Sequence, residues 1–251
     1  MGYSIIIPAR HASSRLPGKP LHKIADKTLI ERVYECAQKS QADEIIIATD
    51  DQRIEAEAKK FSAQVCMTSA AHTTGTDRLA EVIHSRCYPD DHIIVNLQGD
   101  EPLMPASVIN QVADNLRNNP EASSATVCTR ILDADELFDP NVVKVVTDAN
   151  GFALYFSRAS IPWDRAHFSA HTTLPDYAEH YRHIGLYAYR AGFLKRFVTW
   201  PICHHETVES LEQLRSLWHG EKIHVDIAKD IPGPGVDTLD DLHKVRQMFV
   251  D

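Results

Sequence analysis

Two short stretches carry side chains suited to handling a polyphosphate. Residues 5–21 read IIIPARHASSRLPGKPL, where an apolar run ends at Pro8 and Arg10, Ser13, Ser14, Arg15, Gly18 and Lys19 follow closely. Cations and hydroxyls placed just past a strand occupy the position where α/β sheets bind ligands, and their charge-assisted hydrogen bonds suit a triphosphate. Pro17 and Pro20 restrict the loop and lower the entropic cost of holding such a ligand. It is not a Walker A loop, because Lys19 is followed by Pro20 and Ser13 stands five positions before Gly18. Taken alone, the same composition also describes a basic surface loop of solvated ion pairs.

The second stretch is NLQGDEP, residues 96–102. Gly99 permits close backbone approach, and Asp100 and Glu101 directly follow an apolar run, so a carboxylate is expected at the ligand edge of the sheet. Magnesium takes oxygen ligands and is held by one or two carboxylates plus substrate phosphates. Asp100 is one candidate ligand, and Asp237 in the GVDT step near the C-terminus is the other. An Asp after a strand is also a common turn or N-cap residue, so the pair gains weight only in combination with the basic loop.

Such groups need a frame. Short apolar runs at 4–8, 44–49, 64–68, 92–97 and 124–130 alternate with helical patterns at 28–39, 52–61, 78–86 and 105–118. That order predicts an α/β fold with a mainly parallel central sheet and helices on both faces. Leu29, Val33, Cys36 and Ala37 share one helical face, with Thr28 as N-cap. The run HIIVNL is continuously apolar, as expected of the middle strand of a sheet covered on both faces. From 142 to 158 the pattern becomes two strands joined by a turn at 148–151, which predicts a smaller mixed or antiparallel region. Residues 159–180 read as an irregular excursion, 183–190 as a strand, 207–218 as a helix and 222–228 as a strand. The last helix opens with the capping-box pattern of Thr238 and Asp241.

With 251 residues, 43% of them hydrophobic, the chain needs no second domain to bury a core. Its net charge of -9 argues against a protein that coats nucleic acid or an anionic membrane. The N-terminal segment lacks the pattern of a secretory signal and no stretch approaches about 18 apolar residues, so a cytoplasmic protein without membrane insertion is expected. Five scattered cysteines without a C-x-x-C pair are expected to be buried free thiols, and the adjoining His204 and His205 to face solvent from a loop.

The segments PARHASSRLPGKPL, ATDD, TSAAHTTGTDR, NLQGDEP, YFSRA, HIGLYAYR, ESLEQLR and GVDT, in this order across nearly the whole chain, resemble the 3-deoxy-manno-octulosonate (Kdo) cytidylyltransferases. The resemblance implies a single domain of the nucleotide-diphospho-sugar transferase type. Residues 1–131 would form mainly its nucleotide half, 141–230 its sugar-binding and dimerisation region, and 231–251 the metal-ligand loop and final helix. It implies CMP transfer from CTP to the anomeric hydroxyl of Kdo for lipopolysaccharide assembly, with magnesium as cofactor and a homodimer as the assembly. Arg10, Ser13, Arg15 and Lys19 match the family's phosphate contacts, and Gly75 and Arg78 the loop around cytosine. Asp100 and Asp237 match its metal ligands, with Lys19 and Arg10 completing the catalytic set. Gln98, Arg158, His183, Tyr187, Glu212 and Gln213 match its sugar pocket, with Arg158 meeting the sugar carboxylate. Read from the residues alone, without the resemblance, Tyr187 is a core residue, His183 a satisfied strand-end histidine and Glu212 a surface helix residue. An 8-amino-Kdo or sialate substrate and a non-catalytic nucleotide-binding module are the rival readings.

Overall fold

The computed structural model describes residues 2–12, 15–168 and 179–249, so Ser13 and part of the 159–180 excursion lie outside the described residues. The opening apolar run is strand β1 (Tyr3–Ala9). A 3-10 turn at Lys19–Leu21 and a small ribbon, β2 (Lys23–Ile24) with β3 (Lys27–Thr28), lead into helix α1 (Leu29–Gln38). Thr28 takes the N-cap position, but its side chain makes no capping bond.

The βα alternation then proceeds as the periodicity predicts. It runs through β4 (Glu44–Thr49), α2 (Gln52–Lys60), β5 (Gln64–Met67) and α3 (Gly75–Ser85). Next come β6 (Ile93–Asn96), α4 (Ala106–Asn118) and β7 (Ser124–Arg130). Helix α3 starts earlier than the expected Arg78 because Thr74 and Asp77 form a reciprocal capping box ahead of it.

After β7 the rhythm changes as expected. A short helix α5 (Ala134–Phe138) precedes the hairpin β8 (Lys144–Thr147) and β9 (Ala153–Ser157), whose turn uses Gly151 at a φ of 79°. Strand β10 (Tyr181–Arg190) and helix α6 (Ala191–Phe197) follow. The helix expected over 207–218 is instead two pieces, α7 (His204–Glu209) and α8 (Leu214–Trp218), separated where Ser210 adopts a φ of 53°. His204 and His205 therefore open a helix rather than sit in a loop, although both are exposed. Strand β11 (Ile223–Ile227) and helix α9 (Leu239–Gln247), with its capping box intact, close the described chain.

The main sheet runs β11-β7-β10-β6-β1-β4-β5, with the β8–β9 hairpin attached through β8 to β10. β6 is its middle strand, as its unbroken apolar run predicts. β10 is antiparallel to both β6 and β7, whereas the other neighbours along this path pair in parallel. The alternation of a pleated strand divides the core in two. Ile5, Ile7, Ile47 and Val95 face the layer of α1, α2, α4 and α9, while Ile6, Ile46 and Ile94 face α3 and α6. A third cluster, around Phe156, Leu211 and Val225, lies beneath the hairpin and α8. Three of the five free thiols are buried as expected, but Cys66 is partly open and Cys87 is exposed.

Gly99 sits just past β6, where a Cβ atom would lie 2.7 Å from the carbonyl oxygen of Pro8. A Gly99→Ala substitution must therefore push the ends of β1 and β6 apart, an overpacking change expected to cost about 1–3 kcal/mol in urea unfolding. Gly185→Ala, whose Cβ would meet nothing within 4 Å, is the control and is expected to change stability by no more than about 0.5 kcal/mol. Equal effects at the two sites would contradict this packing argument.

Candidate active site

Chain order reverses between β1 and β6: β4 and β5 lie on one side of β1, and β6 on the other. Such a switch point leaves a crevice at the carboxyl ends of the strands. A cleft of about 220 Å³ opens there, walled by the loop after β1, the start of α3 and the segment after β6. Arg10 and Arg15 reach it from the first wall, Thr74 and Gly75 from the second, and Gln98 and Asp100 from the third.

The chain's C-terminal end supplies the fourth wall. The Val236 amide donates to the Asp100 carbonyl at 2.9 Å and the Gly233 amide to that of Leu103 at 3.4 Å, so the 233–236 loop lies along the segment that follows β6. Glycine is required for that approach: a Cβ at Gly233 would lie 2.7 Å from Leu103, and one at Gly235 would lie 2.9 Å from Glu101 Oε1. Buried Val236 anchors the loop, and the Asp237 amide donates to Asp241 Oδ2 at 3.2 Å, continuing the cap of α9. Asp237 is thereby delivered to Asp100. Lys19 Nζ lies between them, 2.6 Å from Asp100 Oδ2 and 3.1 Å from Asp237 Oδ1, and Arg15 approaches Asp237 Oδ1 at 3.0 Å.

These carboxylates suit a divalent cation. The Lys19 ammonium already stands as a cation between their oxygens, and oxygen donors are the ligands magnesium prefers. Among the described residues no group of three or more His, Cys, Asp and Glu side chains is placed to hold a metal, so the remaining ligands would be water and phosphate. Glu101 is the third acid nearby. Burial, then the charges of Asp100 and Asp237, push its carboxyl up to about 7.

The remaining nucleotide candidates occupy this cleft in different ways. Arg10 Nη1 donates to the Thr73 carbonyl at 3.3 Å from an exposed position. Arg78 is buried and committed to the wall: it donates to Thr68 Oγ1 and pairs with Asp50 at 3.3 Å.

A second cleft, of about 280 Å³, adjoins the first, and Gly75 and Gln98 line both. His183, Tyr187, Glu212 and Gln213 converge on it. They meet because β10 runs antiparallel, pairing Tyr187 with Asn96 at the end of β6 and carrying its earlier residues to the ligand edge. Register against β7 shifts between Ile184 and Tyr187, a bulge that re-aims side chains. Thr126 Oγ1 lies 3.0 Å and 2.8 Å from the carbonyl oxygens of Ile184 and Leu186 and 3.1 Å from His183 Nε2, so it fills the irregularity.

The cleft is polar in a particular way. Asn96 Oδ1 and the Tyr187 hydroxyl are buried without a hydrogen-bond partner, and both residues line it. Buried polar groups are rarely left alone, so orphans on a cavity wall suit a hydroxyl-rich ligand. Glu212 is no surface helix residue. It lies in the break between α7 and α8, accepts from Thr76 Oγ1 at 2.5 Å, and has its carboxyl pKa raised by burial. Burial pushes His183 down to about 3, so its ring is neutral.

Arg158 is the exception. Its Nε donates to the Glu209 carbonyl at 2.7 Å and its Nη1 to that of Pro140 at 2.9 Å, and it is not among the residues lining either cleft. The Glu209 carboxylate accepts from Ser157 Oγ at 2.6 Å and from the Arg158 amide at 2.9 Å. Buried Lys144 adds bonds to the carbonyls of Asp139, Val142 and Arg158. Arg158 thus clamps β9 to the end of α7, directly before the break that carries Glu212 and Gln213. Ser13 lies outside the described residues. Asn96, Thr76, Tyr189 and Gly185 join the second cleft without having been singled out, although Asn96 opens the NLQGDEP segment itself.

Known proteins share this arrangement of chain. The cytidylyltransferase family model matches residues 4–223. A 3-deoxy-manno-octulosonate cytidylyltransferase of Nitrosococcus oceani is 56% identical, over 100% of this chain and 97% of its own length. That of Idiomarina loihiensis is 54% identical over 100% of both chains. Among solved structures, CMP:2-keto-3-deoxy-manno-octonic acid synthetase complexed with CTP matches with a TM-score of 0.90 at 40% identity, covering 100% of this chain and 99% of that one. A 4-diphosphocytidyl-2C-methyl-D-erythritol synthase, 13% identical with a TM-score of 0.64, shares the fold.

Two stability measurements check the site's construction. The folded-state pKa of His183, near 3, lies below the ordinary 6.5, so its contribution is complete above about pH 6.5 and is lost as pH falls toward 3. Wild type is therefore expected to lose more urea stability than His183→Gln between pH 7 and pH 4.5, and parallel losses would contradict the buried neutral ring. Arg158→Ala is expected to cost about 2 kcal/mol of unfolding free energy by removing donors from the Glu209 and Pro140 carbonyls. An unchanged urea midpoint would mean that the clamp does not form.

Proposed function

The chain belongs to the cytidylyltransferase family, and on that premise we propose that it transfers CMP from CTP to the anomeric hydroxyl of Kdo, giving CMP-Kdo and pyrophosphate. The observation that carries this reading is the meeting of two unlike clefts at Gln98 and Gly75. One is edged by Arg10, Arg15 and Lys19 and suits a triphosphate; the other presents unpartnered polar groups and suits a polyhydroxylated sugar.

Their common wall is where the sugar hydroxyl would meet the α-phosphorus. Nucleotidyl transfer of this kind is mostly positioning and electrostatic stabilisation. The sugar hydroxyl gives up its proton to water and attacks in line, the bond to the leaving pyrophosphate breaks, and Arg10, Arg15 and Lys19 offset charge on the departing oxygens. Asp100 and Asp237 would hold magnesium, which supplies a lowered pKa at the attacking hydroxyl and charge neutralisation at phosphorus. Gln98 stands on both clefts and would orient the hydroxyl. His183, Tyr187, Glu212 and Gln213 hold the rest of the sugar through its hydroxyls.

The same reading makes the chain cytoplasmic, a homodimer and a supplier of lipopolysaccharide assembly. Among the described residues no helix is long and apolar enough to cross a membrane. Leu154 on β9, Val208 on α7 and Trp218 on α8 are each more than half exposed on elements that pack together, which supports a self-association face.

Pyrophosphate release from CTP with Kdo tests the proposal. Asp100→Asn and Asp237→Asn are each expected to lose at least about 100-fold in turnover at limiting magnesium, or about 2.7 kcal/mol of transition-state stabilisation. Wild-type turnover in both variants would remove the metal assignment. In a panel of nucleoside triphosphates against Kdo, 8-amino-Kdo and N-acetylneuraminate, CTP with Kdo is expected to give the highest kcat/KM, and a preference for another sugar would overturn the substrate.

A further inference from the structure

The Lys19 ammonium occupies the place that a divalent cation would need. It lies 2.6 Å from Asp100 and 3.1 Å from Asp237, and its side chain is only 14% exposed. Its backbone is fixed as firmly: Gly18 turns at a φ of 68°, the Lys19 amide donates to the Leu16 carbonyl at 3.1 Å, and Pro20 follows within the 3-10 turn. Only the side chain is free to change partners. Arg15 pairs with Asp237 as well, so two cations already balance the two aspartates.

We propose that Lys19 is a latch that closes the Asp100–Asp237 pair to divalent cations until the phosphates of a nucleotide draw its ammonium away. The inference rests on the metal reading above and deepens it. A divalent ion and an ammonium cannot share these two oxygens, because like charges at such separation repel strongly. The aspartates alone offer the ion too few ligands to displace a charge that is already well paired. A triphosphate in the cleft changes both sides of this competition. It presents acceptors to the ammonium, freeing the carboxylates, and it contributes ligands to the ion. Nucleotide and metal therefore bind with positive coupling, and each tightens the other by the same factor.

Manganese binding, followed by electron paramagnetic resonance without nucleotide, tests the latch. Lys19→Met is expected to bind Mn²⁺ at least tenfold more tightly than wild type, and the gain is expected to vanish in the Lys19→Met, Asp100→Asn double variant. Lys19→Gln repeats the test if the methionine variant unfolds. Equal or weaker Mn²⁺ binding in both Lys19 variants overturns the latch, as does a gain that survives loss of Asp100. Wild-type turnover with CTP and Kdo is measured alongside. Turnover without the Mn²⁺ gain rejects the latch alone, whereas the gain without turnover supports the latch and rejects the proposed reaction.

Discussion

One ammonium joins three parts of the chain that lie far apart in sequence. Lys19 bonds Asp100 across 81 positions and Asp237 across 218. Everything around this contact serves to bring carboxylates close that would otherwise repel, and the strain shows at Glu101, where burial and its two acidic neighbours drive the carboxyl up to about 7. The closeness originates in backbone. Gly99 lets the segment after β6 press on the end of β1, Gly233 and Gly235 let the C-terminal loop lie on that segment, and the cap of α9 fixes Asp237 at the loop's end.

The second cleft depends on a different device. Inserting β10 antiparallel between β6 and β7 puts His183 and Tyr187 at the edge where parallel strands deliver the groups of the first cleft. The bulge plugged by Thr126 aims them, and the break after α7 turns Glu212 and Gln213 inward. Buried Glu206 and Arg215 brace that break with bonds of 2.7 Å and 2.5 Å, while Arg158 and Glu209 fasten it to β9. A pair without access to water is stable only when geometry and hydrogen bonding are both met, as they are here. The two clefts thus differ in origin as well as in chemistry, one built by loops at a switch point and the other by an inverted strand.

Much of this was legible in the residues. The alternating apolar runs of the first half, the central place of HIIVNL, the hairpin and the capping box of α9 all follow from local rules whose signals lie within a few positions. The convergence of Asp100 with Asp237 was expected from the oxygen chemistry of the pair and from the family resemblance; a long loop separates Asp237 from the end of β11. The glycine contacts that achieve it are tertiary, and no periodicity carries them. The missed features share that cause. Ser210 gives no warning that a helical pattern will break there, because the break is held by Arg158, Glu206 and Arg215 from elsewhere in the chain. Arg158 entered as a sugar-carboxylate contact through the family resemblance, and nothing local in the sequence marks the carbonyl groups of Glu209 and Pro140 that it meets. The bulge in β10 was hidden for the same reason, since HIGLYAYR alternates well enough to pass for a regular strand.

The central claim is that nucleotide and sugar occupy separate clefts that touch at Gln98. A crystal structure of the chain with CTP and a Kdo analogue lacking the anomeric hydroxyl tests it directly. The account expects phosphates beside Arg10, Arg15 and Lys19, the sugar beside His183, Tyr187 and Glu212, and the analogue's anomeric carbon facing the α-phosphorus across Gln98. A sugar bound away from β10, or a triphosphate whose α-phosphorus points away from Gln98, would contradict it.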